Sequence, residues 1–250
     1  MDVKLKEKFL AGWSKYFPGA ELPLAFYYTD EPPGAEYVNP PAGHQCMIGV
    51  LARARAGETL RFDADSIGCF GGKRFTGFRE EVRPDFEYFL SCGIPHKMEG
   101  ERYKKSPELV KEMLKAWSGF RAPGKYLVFK SFDALANGDE PEAVVFFAPP
   151  DVLSGLFTLA NFDEGAPDGV ICPFCAGCCA IVQYPYLEKN QARPRAVLGM
   201  FDVSARPCVP KGTLSLAVPM AKFARMAENM DESFLITKSW DKVKARLASR

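Results

Sequence analysis

Ala143-Val144-Val145-Phe146-Phe147-Ala148 is a run without a polar side chain, and Lys125-Tyr126-Leu127-Val128-Phe129-Lys130 has an apolar interior. Short apolar runs rich in β-branched and aromatic residues predict buried strands. The Asn137-Gly138 turn lies between them. Because such a dipeptide commonly connects the strands of a hairpin, we expect these two strands to be adjacent in one sheet.

Segments on either side of these strands predict further elements. Strands are expected at 22–29, 196–203 and 213–218, with a long loop around Pro32-Pro33-Gly34 and Pro40-Pro41. Helices are expected at 3–17, 46–56, 220–230, from Ser106-Pro107-Glu108 to about 118, from Pro149-Pro150-Asp151 to 160, and after a capping Ser239. Strands and helices do not alternate regularly, which predicts an α+β fold with a mixed or antiparallel sheet and flanking helices.

The chain is long and apolar enough to form a substantial core, with 250 residues that are 47% hydrophobic. We expect a single domain over 1–250, with two intimately packed, similar halves, about 20–120 and 121–235, as one option. Phe62-Asp63 precedes the Cys69 segment at nearly the interval by which Phe162-Asp163 precedes residues 172–177. This echo suggests an internal repeat.

Charge and hydropathy exclude several classes of function. Lys and Arg number 32 against 31 Asp and Glu, and this net charge of +1 gives no long-range attraction for nucleic acid or an acidic membrane. No run approaches the roughly 20 apolar residues of a membrane span, and residues 1–8 are charged where a signal peptide is apolar. We therefore expect a cytoplasmic protein with reduced cysteines, whose partner is a small molecule or a redox protein.

Four of the eight cysteines lie within residues 172–179. Cys172, Cys175 and Cys178 have the Cys-x-x-Cys-x-x-Cys spacing that lets thiolates converge on iron. The fourth ligand would be Cys69, Cys179 or Cys208. The sequence therefore predicts a metal- or iron–sulfur-binding protein with a role in electron transfer or a redox step.

Other interpretations of these cysteines stay open. Zinc could be held by Cys172 and Cys175 with Cys69 and Cys208. Cys172 and Cys175 could form a thioredoxin-like redox pair, and Cys178 and Cys179 could be packed core residues. The segment His44-Gln45-Cys46 could offer two further ligands, His44 and Cys46, at the start of a helix.

The glycine-rich segment 68–79 is a second candidate site. Gly71, Gly72, Lys73 and Arg74 would form a loop of exposed amides beside positive charge, which suits an anionic ligand or cofactor. The segment matches neither the Walker loop nor the dinucleotide-binding spacing, and the glycines could equally form a tight structural turn. This site supports an alternative function, a non-catalytic ligand- or partner-binding domain with structural cysteines or zinc.

Three segments resemble a known family. They are Gly68-Cys69-Phe70-Gly71-Gly72 with Gly77-Phe78, the run 144–153, and Gly177-Cys178-Cys179-Ala180-Ile181-Val182 with Pro185. They are similar to the uncharacterised ArCR family, the domain of unknown function numbered 169, over most of the chain. The resemblance implies shared cysteines at Cys69 and at Cys178 or Cys179. It implies no activity and no catalytic residues, and it leaves open whether Cys172 and Cys175 belong to a subset of the family.

Overall fold

The computed structural model describes residues 1–31 and 34–248 and confirms the α+β fold. The strands are β1 Leu24–Thr29, β2 Glu36–Tyr37, β3 Leu60–Phe62, β4 Tyr126–Ser131, β5 Ala143–Ala148, β6 Val170–Ile171, β7 Ala196–Gly199 and β8 Leu214–Pro219. They form one mixed sheet in the order β2-β3-β4-β1-β5-β8-β7-β6.

Helices cover both faces of this sheet. They are α1 Val3–Tyr16, α2 Met47–Arg55, α3 Phe70–Phe75, α4 Phe86–Phe89, α5 Pro107–Ala116, α6 Pro150–Ala160, α7 Tyr184–Glu188, α8 Met220–Glu228 and α9 Lys238–Ala248. A π-helical turn at Cys179–Gln183 leads directly into α7, and a 3-10 turn spans Val203–Cys208. No helix in the described ranges is long and apolar enough to cross a membrane.

The pairing of strands in the first half of the sheet recurs in the second half. Six antiparallel pairs join β1 to β4 and six join β5 to β8. Three antiparallel pairs join β3 to β4 and three join β7 to β8, and two parallel pairs join β2 to β3 and β6 to β7. The strand order of one half, 2-3-4-1, is therefore mirrored as 5-8-7-6 in the other.

A short antiparallel contact between β1 and β5 joins these halves. Leu24 lies opposite Val145, and Phe26 lies opposite Ala143. Adjacent antiparallel strands are related by a local two-fold axis perpendicular to the sheet. This contact therefore places equivalent elements of the two halves on the same face.

Strand β5 is buried on both faces. Val144, Phe146 and Ala148 belong to the core beneath α1, α6, α8 and α9, whereas Val145 and Phe147 belong to the core beneath α2 and the π-helical turn. Side chains of a strand alternate between faces, so an interior strand covered on both sides needs an unbroken apolar run. This arrangement explains the continuous apolar sequence of β5.

The expectation that 125–130 and 143–148 are neighbouring strands is wrong. Strand β1 lies between them and is antiparallel to both. The connection between β4 and β5 spans residues 132–142 and begins with a 3-10 turn at Phe132–Ala134, so it is not a two-residue hairpin. It carries the chain from one half of the sheet to the other.

Smaller differences concern the ends of elements. Strand β7 ends at Gly199 because Met200 has a left-handed φ of 67°, so the strand expected to reach 203 is shorter. Thr237, rather than Ser239, caps the last helix, since its hydroxyl accepts the Trp240 N–H at 3.4 Å. Ser106 stands at the start of α5 without a capping hydrogen bond. The expected loop at 30–41 contains β2, and its Pro32 and Pro33 lie outside the described residues.

The repeated Phe-Asp dipeptides at 62–63 and 162–163 occupy different places in the fold. Phe62 ends β3, whereas Phe162 follows the end of α6. By the register of the pairs with β4 and β8, Phe62 corresponds to Gly199, the last residue of β7. The repeated pairing of the strands therefore matches segments that are different from those in the sequence echo.

Gly155 on α6 allows close packing of the terminal helix, and its replacement tests this core. A β-carbon at this position would overlap the Trp240 ring and lie 2.9 Å from the Phe17 ring. We expect Gly155→Val to lower the free energy of unfolding by about 1–3 kcal/mol through overpacking. Gly119→Ala, which meets nothing within 4 Å, is the matched control and should change it by less than about 0.5 kcal/mol. Equal urea midpoints for the two variants would contradict this packing.

Candidate functional site

A cavity of about 530 Å³ lies on the face of the sheet covered by α2 and the π-helical turn. Its walls come from the start of α2, from α3 and α4, from the segment before the π-helical turn, and from residues 199–205. The lining is mainly apolar and includes the aromatic side chains of Phe70, Phe75, Phe86, Phe89, Trp117, Phe174 and Phe201. A cavity of this size and character can enclose a small organic molecule.

Gly199 at the end of β7 shapes the floor of this cavity. A β-carbon at this position would overlap the β-carbon of Ala180. The glycine therefore lets the π-helical turn lie directly on the sheet. Cys179 and its neighbours are held in place by this close approach.

Four cysteines from distant parts of the chain line the cavity. They are Cys46, Cys69, Cys175 and Cys178. Cys46 directly precedes α2, and Cys69 directly precedes α3, where its Sγ accepts the Gly72 N–H at 3.2 Å. Two cysteines of each half of the chain thus face one cavity.

Two further cysteines, Cys179 and Cys208, lie next to this set. Cys208 is close enough to Cys46 to raise the pKa of Cys46, and Cys175 is close enough to Cys179 to raise the pKa of Cys179. Cys179 also donates to Gln183 Oε1 at 3.2 Å. All six cysteines belong to the same apolar core.

The other two cysteines lie outside this group. Cys92 and Cys172 are exposed. Cys172 was predicted to be a ligand with Cys175 and Cys178, yet it does not line the cavity. Within residues 1–31 and 34–248, no three Cys, His, Asp or Glu side chains are already arranged to hold a metal ion.

Burial controls the acidity of the inner thiols. It raises the pKa of Cys178 well above its ordinary value, and the neighbouring thiols of Cys69 and Cys46 raise it further. Burial also raises the pKa of Cys179. Burial raises the pKa of Cys46 as well, although the N–H groups of Ile48 and Gly49 oppose the shift. Without a bound cation, these thiols are protonated at neutral pH.

A few polar side chains also line the cavity. They are His44, Arg74, Arg83, Glu101, Tyr103, Asp202 and Ser204. The Arg74 guanidinium lies 5.7 Å from the centre of the Trp117 ring and donates to the Glu80 carbonyl. Asp202 accepts the Gly177 N–H at 3.1 Å and the Ser204 N–H at 3.1 Å, so it fixes the loop before the π-helical turn.

The glycine-rich segment is a helix rather than the expected open loop. Gly71 and Gly72 lie in α3, and the Gly72 N–H is used by the Cys69 sulfur. Gly71, Gly72 and Arg74 line the cavity, whereas Lys73 does not. The binding of an anion by this segment stays a prediction.

The Cys172/Cys175 pair does not have the setting of a thioredoxin motif. Cys172 directly follows β6, and the helical turn begins at Gly177, beyond both cysteines. Burial raises the pKa of Cys172, whereas a thioredoxin-like nucleophile needs a lowered one. The geometry therefore disfavours a disulfide catalyst of that kind.

The π-helical turn is an unusual local structure beside the cavity. Such turns are rare in proteins as a whole, and those that occur often lie at functional sites. Gln183, the last residue of this turn, is buried, accepts a hydrogen bond from Cys179 and donates one to the Ser118 carbonyl. The turn thereby connects the cysteine segment of the second half to the chain after α5.

Sequence reasoning gave only a weak signal for one contributor to the site and missed another. Cys46 was a candidate only together with His44 in His44-Gln45-Cys46, because it has no nearby cysteine to set a ligand spacing. Trp117 contributes an aromatic wall from beyond the end of α5, a position that only the folded chain reveals. His44, a weak candidate from the sequence, does line the cavity.

Comparison with known proteins gives one match. The model of the uncharacterised ArCR family, domain of unknown function 169, matches residues 20–229, which confirms the resemblance noted in the sequence. Neither a curated protein nor a solved structure matches the chain.

The burial of the cysteines predicts the order in which they are alkylated. In the native protein, iodoacetamide should label Cys92 and Cys172 first and Cys178 and Cys179 only after unfolding, as measured by peptide mass spectrometry. Because its pKa is raised, Cys172 should also react more slowly at pH 8 in the native chain than in urea. Rapid native labelling of Cys178 would contradict the described geometry.

Proposed function

Because the chain belongs to the uncharacterised ArCR family, we propose a function from its site geometry: the protein binds a small, largely apolar organic molecule and presents cysteine sulfur to it. The observation that carries this proposal is the cavity of about 530 Å³ with Cys46, Cys69, Cys175 and Cys178 in its wall.

The size and lining of the cavity support the first part of the proposal. Pockets of about 300–1,000 Å³ with mostly apolar walls and a few polar groups are typical of small-molecule sites. Phe70, Phe86 and Trp117 offer aromatic surfaces against which a planar molecule can pack. Arg74, Arg83 and Tyr103 would fix its orientation.

The cysteines support the second part. All eight are free thiols, the state that a reducing cytoplasm maintains, and a cytoplasmic location belongs to this proposal. A sulfur in the cavity wall can act as a polarizable contact, as a nucleophile once deprotonated, or as a metal ligand. The bound molecule would lie beside these sulfurs in each case.

An anionic aromatic probe, 8-anilinonaphthalene-1-sulfonate, tests the cavity. We expect it to bind and to quench Trp117, because Trp13 and Trp240 are buried in the core on the opposite face. Ala176→Phe, which places a ring in the cavity, should weaken binding at least about tenfold, or about 1.4 kcal/mol.

The matched control is Ala136→Phe, at an exposed alanine away from the cavity, which should leave the affinity unchanged. In Trp117→Phe the probe should still bind, as shown by its own emission, while quenching of the protein becomes smaller because the tryptophan that lines the cavity is gone. Equal affinities for the Ala176 and Ala136 variants would refute binding in this cavity.

A metal-centre role is the second candidate function. It is supported by the four cysteines from both halves at one cavity, together with the spacing of Cys172, Cys175 and Cys178. An iron–sulfur cluster would supply electron transfer or a redox step beside the bound molecule, whereas zinc would supply structure or polarise the ligand. The chain's own contribution would be an apolar wall that excludes water.

Anaerobic purification tests this second candidate. If it is right, the protein should be coloured and contain stoichiometric iron and acid-labile sulfide by chemical analysis. Zinc in their place would assign the alternative metal. Colourless protein that contains neither metal, before and after reconstitution with ferrous iron and sulfide, would refute it.

A further inference from the structure

Arg74 in α3 brings a positive charge to the wall of the cavity. Its Nη1 donates to the backbone carbonyl of Glu80. The carboxylate of Glu80 pairs with Arg121 instead. Among the residues that the structure describes, no carboxylate forms a salt bridge with Arg74. The wall of the cavity therefore contains a cation that no acidic side chain pairs with.

The other edge of the Arg74 guanidinium, formed by Nε and Nη2, has no hydrogen-bond acceptor in residues 1–31 and 34–248. Nε on this edge is buried. Of the four buried side-chain polar atoms without a partner in this part of the chain, only Arg74 Nε belongs to a residue that lines the cavity. Because buried donors are nearly always paired in folded proteins, this edge indicates an acceptor supplied by a bound molecule.

Aromatic rings lie beside this cation. The Arg74 guanidinium is 5.7 Å from the centre of the Trp117 ring. The Trp117 ring in turn packs against Phe75, with ring centres 5.3 Å apart, and against Phe86, with ring centres 6.0 Å apart. All three rings line the cavity. A planar apolar molecule can therefore pack against these rings while a charged group at its end reaches Arg74.

The two acidic side chains in the cavity wall leave the arginines unpaired. Asp202 accepts hydrogen bonds from two backbone N–H groups. Glu101 is exposed to solvent. Arg83, the second arginine of the wall, forms no salt bridge in the described ranges, and its guanidinium lies 4.2 Å from the centre of the Phe89 ring. An anion that enters the cavity would therefore meet two arginines without a carboxylate partner.

From these contacts we infer that the molecule bound in the cavity is a small aromatic carboxylate whose carboxylate group pairs with Arg74. The inference rests on the proposed small-molecule function and deepens it by naming the class of ligand. A planar carboxylate offers two oxygens to the two N–H groups of a guanidinium edge. One carboxylate balances one guanidinium, whereas a phosphate monoester would bring additional negative charge into a mainly apolar wall.

A neutral fluorescent probe, N-phenyl-1-naphthylamine, tests the class of ligand by displacement. The competitors are 1-naphthoate and 1-naphthamide, which have similar shapes and differ in charge. An apolar cavity without an unpaired cation would favour the amide, because burial of an unpaired carboxylate is unfavourable. In the wild-type protein we expect naphthoate to displace the probe at a concentration at least about tenfold lower than naphthamide.

Arg74→Met keeps an apolar stem of similar length and removes the charge. In this variant the preference for naphthoate should disappear, while the affinities for the probe and for naphthamide stay within about twofold of the wild-type values. Lys115→Met is the matched control, since it removes one positive charge from an exposed position that does not line the cavity. It should keep the wild-type preference. Circular dichroism checks that both variants are folded.

A measurement on the unmutated chain covers the case of an Arg74 variant that does not fold. Phenylglyoxal modifies accessible arginines, and peptide mass spectrometry identifies them. Naphthoate should protect Arg74 from modification, whereas the same concentration of naphthamide should protect it less. Arg121, which is exposed and does not line the cavity, should be modified equally in the presence of either compound.

The outcomes separate this inference from the function on which it rests. A wild-type protein that binds the probe and releases it equally to naphthoate and naphthamide would overturn the carboxylate and leave the small-molecule function intact. A preference for naphthoate that persists in Arg74→Met would overturn the role of Arg74. Stronger displacement by 1-naphthyl phosphate than by naphthoate would overturn the class of anion. A wild-type protein that binds neither the probe nor naphthoate would overturn both the inference and the small-molecule function.

Discussion

The short pairing of β1 with β5 is the contact on which the remaining structure depends. Leu24, Ala25 and Phe26 meet Val145, Val144 and Ala143 at the centre of the sheet, where both faces are covered. An antiparallel pair relates its two strands by a two-fold axis, so this contact fixes how one half lies against the other. It brings α2 and the π-helical turn to the same face, so that Cys46 and Cys178, which precede them, line one cavity.

The two faces of the sheet are packed differently, and this difference explains where the cavity lies. Under α1, α6, α8 and α9 the core is filled by aromatic rings in mutual contact, with Phe9 4.8 Å from both Phe132 and Phe223. On the other face the first half inserts residues 70–116 between its third and fourth strands, whereas the second half has only a 3-10 turn there. The longer insertion covers the space that the shorter one leaves open, and its helices α3 and α4 form part of the cavity wall.

Local patterns in the sequence predicted where the strands and helices are better than they predicted which strands lie side by side. The apolar run of β5 and the proline start of α6 act within a few residues, so they were readable in advance. The place of β1 between β4 and β5 depends on pairing between segments more than a hundred residues apart, which composition does not encode. For the same reason the sequence offered Cys46 as a ligand only through its neighbour His44 and did not show that Cys46 shares a cavity with Cys69, Cys175 and Cys178.

The cysteines differ in burial, and the acidity and accessibility of their thiols differ accordingly. Cys178 and Cys179 are buried, while Cys172 is exposed at the start of the same segment. Phe174, between Cys172 and Cys175 in the chain, lines the cavity. Lys104 Nζ lies 4.3 Å from the centre of its ring, and this cation–π contact connects the segment to the first half. Cys175, next to Phe174, lines the cavity and is close enough to Cys179 to raise the pKa of Cys179. Burial in the fold, and not proximity in sequence, therefore separates the inner thiols from Cys172.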